Sequence, residues 1–120
     1  MGPRRKSADL RAQAHMDLLV GAIEASSHTT RRRVLALLAE EPDGLAYGEI
    51  AAKLGIRDQS AIAHHVRVLV GSALVGNILQ RREAKIRSFY FLSEWGRDWL
   101  EMTGMGRQES RDIILGRRPR

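Results

Sequence analysis

Gln59, Ser60, Ala63, His64 and Arg67 fall within nine residues of this 120-residue sequence and are its most suggestive chemical group. At helical spacing they share one side of a helix, begun by Asp58, whose carboxylate suits an N-cap, and stopped near Gly71. The other side carries Ile62, Val66, Leu69 and, one turn on, Ala73. Amide, hydroxyl, imidazole and guanidinium groups on one face can hydrogen-bond to a polar surface without making or breaking covalent bonds. A helix exposed only for solubility would more usually carry Glu and Lys. Short side chains of low charge permit close approach, as a DNA major groove requires. A structural amphipathic helix shows the same period, so the rest of the chain must decide.

Other chemistries find little support. The absence of cysteine excludes disulfides, thiolate metal sites and cysteine nucleophiles. Gly104-Met105-Gly106 lacks the preceding strand of a nucleotide loop, and Glu40, Glu41 and Asp43 read as a solvated turn. Adjacent His64 and His65 cannot face one metal from one helix, and His15 and His28 stand isolated. We therefore expect no enzyme, no cofactor and no metal. The net charge of +6 favours a polyanionic partner. Residues 1 to 7, 76 to 90 and 107 to 120 each contribute +3 and the remainder −3, so the excess lies in two tails and one internal loop region. Such segments can carry flexible cations to phosphates. No apolar run approaches the ~20 residues of a membrane span, and the N-terminus lacks the apolar core of a signal peptide. A soluble cytoplasmic, nucleoid-associated protein with no membrane partner is expected.

Several elements must position this face. Residues 1 to 7 read as a disordered basic arm, and residues 8 to 25 as a helix with Ser7 as its cap. Leu10, Ala14, Leu18 and Ala22 lie on one side of it and Met16, Leu19, Val20 and Ile23 nearly opposite, so one side can pack on its own domain while the other needs a partner. Dimerisation is the economical explanation. A second helix runs from Arg31 to Ala39, its triple arginine suiting either a phosphate clamp or a carboxylate pair. A third spans Tyr47 to Leu54, and Gly55-Ile56-Arg57 joins it to the Asp58 helix, which is the spacing of a helix-turn-helix. The period then alternates over residues 74 to 81 and 86 to 92, predicting a hairpin with a basic turn at 82 to 85 and anchors at Leu74, Ile78, Phe89 and Phe91. Ser93 caps a closing helix with Trp95, Trp99, Leu100 and Met102. Beyond it, residues 104 to 120 form a basic extension with room for a helical turn or two around Ile113, Ile114 and Leu115.

Together these segments predict a mostly α fold with a two-stranded β wing, and their order over residues 8 to 103 resembles the winged helix-turn-helix domain. The motifs Arg31-x-x-Val34-Leu35-x-x-Leu38, Glu49-Ile50-Ala51-x-x-Leu54-Gly55-Ile56, Gln59 through Leu69, Ala73-Leu74-Val75 and Tyr90-x-Leu92-Ser93-x-x-Gly96-x-x-Leu100 occur in that order. They resemble the ArsR-like family of prokaryotic transcription regulators over residues 29 to 103. The resemblance implies a homodimer through the first and last helices that binds operator DNA. It places Gln59, Ser60, Ala63, His64 and Arg67 at the major groove, and Arg81, Arg82, Lys85 and Arg87 of the wing near phosphates or the minor groove. Trp95 and Trp99 would join Met16, Leu19, Val20 and Ile23 at the dimer interface, while His65 would point inward. Metal-sensing members carry a cysteine pair where Ala51 and Lys53 stand here, so their route to metal sensing is absent. The turn before Asp58 is also one residue longer than in most relatives.

The expected function is sequence-specific binding of double-stranded DNA in transcription regulation, with half-sites about one helical turn apart, ~34 Å. Two alternatives stay open: a sequence-tolerant architectural protein, supported by the basic tails and the small Ala61 and Ala63, and a winged helix used for protein contacts. No small-molecule effector is legible.

Overall fold

The computed structural model describes residues 7–118; the expected basic arm, apart from Ser7, lies outside the described residues. Six helices and one hairpin follow in the order α1 (Ser7–Ala25), α2 (Thr29–Ala39), α3 (Tyr47–Leu54), α4 (Gln59–Gly71), β1 (Val75–Arg82), β2 (Lys85–Leu92), α5 (Glu94–Thr103) and α6 (Gln108–Ile114). No described helix is long and apolar enough to cross a membrane.

The core forms around α2, where Val34 through Leu38 are all buried. Such a run exceeds one helical face because α2 is enclosed by α3, α4, α6 and β2. Ile50 of α3, Ile62, Val66 and Leu69 of α4, and Leu74 before β1 complete it, each fully buried. Among the described residues, the three arginines at the start of α2 pair with no carboxylate. Arg31 donates to the carbonyls of Ala25 and Glu24, Arg32 to the carbonyl of Ser26, and Arg33 to the carbonyl of Leu54. Their charges thus sit at the C-terminal ends of α1 and α3, where helix dipoles favour cations, which offsets their unfavourable position on α2 itself.

α1 departs most from expectation. Ser7, expected to cap it, lies within the helix. Ala22 and Ala25 are buried and Leu19 packs against the core, but Leu10 and Leu18, expected on the domain side, are exposed. Only the last two turns of α1 have a domain beneath them.

The hairpin pairs Val75 with Leu92 through Arg82 with Lys85, leaving a turn of only Glu83 and Ala84, both at positive φ. This is shorter than the expected turn, and its backbone matches the twist of a tight two-residue hairpin. Leu45 adds a short bridge to Tyr90, its N–H donating to the Tyr90 carbonyl at 2.9 Å and its carbonyl accepting from Tyr90 at 2.8 Å. Gly44 permits this approach: at φ +79°, a Cβ there would lie 2.7 Å from the Tyr90 oxygen. Leu74 and Phe89 anchor the hairpin as expected and Phe91 is half-buried, but Ile78 is 50% exposed because no layer covers the outer half of a two-stranded sheet. α4 ends at Gly71, yet the left-handed turn falls on Ala73, which is exposed and contributes nothing to the apolar stripe.

The C-terminal segment is not a detached extension. α6 packs on α2, with Leu115 and Met105 against the core. Arg117 grips Glu40, the C-cap of α2, with two bonds of 2.7 Å, and Arg111 adds a third at 3.0 Å. These bonds hold the Glu40 carboxyl below its ordinary pKa, the Arg117 hydrogen bond first, against the opposing effect of partial burial.

Candidate nucleic-acid interface

The recognition face is set by two caps and a turn. Gly55 adopts the left-handed conformation (φ +68°) at the end of α3, and the Ile56 N–H returns to the Ala51 carbonyl at 2.9 Å, closing the helix in a Schellman-type bend. Asp58 then starts α4, its carboxylate accepting from Ser60 at 2.9 Å and Ala61 at 3.4 Å. With Ile62, Val66 and Leu69 sunk in the core, Gln59, Ser60, His64 and Arg67 are exposed together on the opposite side, and Ala63 is half-buried among them. The five expected residues therefore share one outward face. Gln59 reaches back over α3, its Nε2 lying 3.6 Å from where a Gly48 Cβ would stand.

Two aromatic residues assigned no role at the interface from the sequence join this surface to the wing. Tyr47 opens α3 and stacks on Tyr90 of β2, with ring centroids 4.8 Å apart and planes 20° from parallel. Burial of the Tyr90 phenol, and then the Tyr47 hydroxyl beside it, push its pKa up to about 12, while Ser88 and the charge of Arg67 work against that rise. Arg67 thus lies within electrostatic reach of the base of the hairpin. In a chain with only 5% aromatic residues, two tyrosines on elements that a helix-turn-helix brings together were the available signal.

The wing cations do not act as one cluster. By strand register Arg81 lies on one face of the hairpin, whereas Arg82, Lys85 and Arg87 lie on the other. Arg82 differs from its neighbours in having partners of its own. Its guanidinium stacks 3.6 Å above the Phe89 ring and donates to the Asp43 carbonyl at 2.6 Å and to Gln80 at 3.0 Å, so it is committed to holding the hairpin. Arg81, Lys85 and Arg87 are exposed, and no ion pair among the described residues holds them.

His65 does turn inward, half-buried, and His28 is not isolated. The two rings lie 4.4 Å apart, with an Arg31 nitrogen 3.4 Å from His65 Nδ1. Burial first, then the neighbouring His28, Arg31 and His64, lower the His65 pKa and favour its neutral form. His28 itself caps α2, its Nδ1 accepting from Thr30 at 3.1 Å. Among the described residues no three His, Asp or Glu side chains form a group that could hold a metal.

At the expected dimer surface, Met16, Val20 and Ile23 are exposed at i, i+4, i+7 spacing, 54%, 45% and 57% respectively. Leu19 and Trp99 are placed differently from these three. Leu19 packs on the protomer's own core, and Trp99 is buried there, its Nε1 donating to Ser26 Oγ at 3.2 Å. Trp95 is half-buried with its ring 6.0 Å from Trp99, and Met102, on one helical face with it though not among the expected interface residues, is 63% exposed.

Residues 27–75 match the family described as a helix-turn-helix domain. The match spans α2, α3 and α4, the three helices that form the helix-turn-helix. With the hairpin that follows, the fold is a winged helix-turn-helix, that of a DNA-binding regulator in general terms, and DNA is the partner it supports. No curated protein and no solved structure matches the chain.

Proposed function

We propose that this helix-turn-helix domain is a sequence-specific, homodimeric transcription regulator of the prokaryotic ArsR-like type. The observation that carries the proposal is the outward face of α4, where Gln59, Ser60, His64 and Arg67 stand exposed beside Ala63 with no acidic residue between them. Gln59 suits bidentate contact with adenine, and Arg67 suits guanine or a phosphate. Arg81, Lys85 and Arg87 would contact the backbone beside the groove. Met16, Val20 and Ile23 of α1, with Trp95 and Met102 of α5, supply the apolar surface for a second copy, which would place two α4 helices on successive turns of one duplex.

The test is selection of binding sites from a random duplex library at near-physiological salt. A palindromic motif with half-sites about 10 bp apart is expected for the dimer. Tight binding without a motif would replace the proposal by the architectural reading, which the small Ala61 and Ala63 favour.

A further inference from the structure

The outer half of the wing carries an apolar surface that phosphate contact does not require. Leu79 is 70% exposed, Ile86 61% and Ile78 50%, on a hairpin whose neighbours are Arg81, Lys85 and Arg87. Leu79 pairs with Ser88 and Ile86 with Arg81, so Leu79 and Ile86 are diagonal neighbours on one face, within side-chain reach of each other. Exposed aliphatic residues on uncovered strands invite aggregation, and hairpins that serve only as basic arms avoid them. Farther down the same face come Ser88 and Tyr90, and the Tyr90 phenol lies under the influence of Arg67 from α4. The apolar pair therefore lies at the outer end of the hairpin face that runs down through Ser88 to the base of the wing beside α4. Arg81 lies on its own face of the hairpin and Lys85 and Arg87 on the reverse, so cations flank the pair on both sides.

We propose that Leu79 and Ile86 form a wedge that enters the minor groove beside the site read by α4, partly unstacking a base step and bending the duplex. This rests on the DNA-binding reading and adds a specificity to it. A minor groove about 6 Å wide admits side chains more readily than a two-stranded ribbon with strands ~4.8 Å apart. The aliphatic side chains enter while Arg81 on one face and Lys85 and Arg87 on the other reach the two phosphate walls. The cost of unstacking is lowest at pyrimidine–purine steps, so the wing selects TA or CA/TG over an A-tract at a position where no base edge is read.

The experiment uses duplexes of about 30 bp, labelled at both ends for energy transfer, with either a TA step or an A-tract flanking a common centre. The full chain is compared with the Leu79→Ser/Ile86→Ser double variant, whose substitutions fall on exposed positions. The expected result is increased end-to-end transfer on binding and a roughly tenfold preference for the TA duplex, both lost in the variant while low-salt binding persists. Binding without a change in transfer, or equal bending by the variant, overturns the wedge and leaves the DNA-binding reading standing. Failure of the unaltered chain to bind either duplex at low salt sinks both. Binding to phosphatidylglycerol-containing vesicles that the variant loses, with no bending of DNA, would assign the patch to a membrane surface and overturn the proposal.

Discussion

Replacing Gly96 by alanine sets helix propensity against packing, and the structure decides the sign. Gly96 lies in the first turn of α5, where alanine would ordinarily be favoured by about 1 kcal/mol. A Cβ there would collide with the carbonyl oxygen of Leu74 and lie 3.2 Å from Leu92 Cδ2. The backbone oxygen cannot swing aside as a side-chain end can, so α5 must lift from the base of the wing. Overpacking of this kind costs about 1–3 kcal/mol. Lifting also stretches the two hydrogen bonds that tie the start of α5 to the wing: Ser93 N–H to Leu74 O at 3.1 Å and Ser93 O–H to Ala73 O at 2.5 Å. At about 1 kcal/mol for each bond lost, and after subtracting the propensity gain, the net destabilisation is about 2–4 kcal/mol. For a domain of this size that lowers Tm by roughly 8–16 °C. Gly21 in α1 is the control, its nearest foreign atom to a new Cβ being Ser72 Cβ at 3.9 Å, an ordinary contact. Gly21→Ala should raise Tm by about 3–4 °C, corresponding to about 1 kcal/mol. Circular dichroism melts of the three proteins provide the measurement. A neutral or stabilising Gly96→Ala would refute the close approach of α5 to Leu74.

Truncating Arg67 to alanine should weaken a selected site by about 1–3 kcal/mol if it reads a base, whereas equal loss on selected and random duplexes in a filter-binding titration would make it a phosphate contact. Arg82→Ala should reduce thermal stability by about 1 kcal/mol through loss of the Phe89 stack, with little change in the salt dependence of DNA binding; a large change in that dependence would return Arg82 to the interface. Glu40 tests the C-terminal clamp through pH. Its folded-state pKa lies below the ordinary 4.5, so its contribution to stability is present above pH 4.5 and is lost as pH falls through the folded value. Urea titrations between about pH 3 and 6 should show a shallower acid limb for Glu40→Gln, and parallel limbs would dismiss the clamp as a surface contact.

The helix-turn-helix was legible because its determinants are local. Asp58 caps the helix it precedes, Gly55 supplies a left-handed turn where it stands, and Ile62, Val66 and Leu69 repeat with the period of the element they bury. What the sequence hid depends on partners far along the chain or on backbone acceptors. Arg31, Arg32 and Arg33 bind carbonyls, which every residue possesses and none advertises. The bond from Arg117 to Glu40 spans 77 residues, so residues 107 to 118 read locally as a free basic tail. Arg82 looked like its neighbours because its commitment to Phe89 and the Asp43 carbonyl requires the hairpin to be folded first. On α1, the two apolar sides were visible but not the length of domain available to cover them, and only Leu19, Ala22 and Ala25 found it.

This division of the cations bears on how the protein should respond to salt. Guanidinium groups that hold carbonyls or carboxylates still add to the field around the molecule, but they cannot displace condensed counterions without giving up their own bonds. Arg31, Arg32, Arg33, Arg82, Arg111 and Arg117 are in that position. On α4 and the two faces of the wing there remain Arg67, Arg81, Lys85 and Arg87, all exposed. If these four make the phosphate contacts, the logarithm of the binding constant should fall against the logarithm of salt concentration with a slope of about −3.6 per protomer, or about −7 for a dimer. Removing Arg81, Lys85 and Arg87 together should bring the slope close to −1 per protomer. A slope steeper by about 3 per protomer in the unaltered chain would place Arg4, Arg5 and Lys6 on the DNA as well. A slope shallower than about −2 per protomer would refute the four-cation footprint and with it the orientation of the wing toward the duplex.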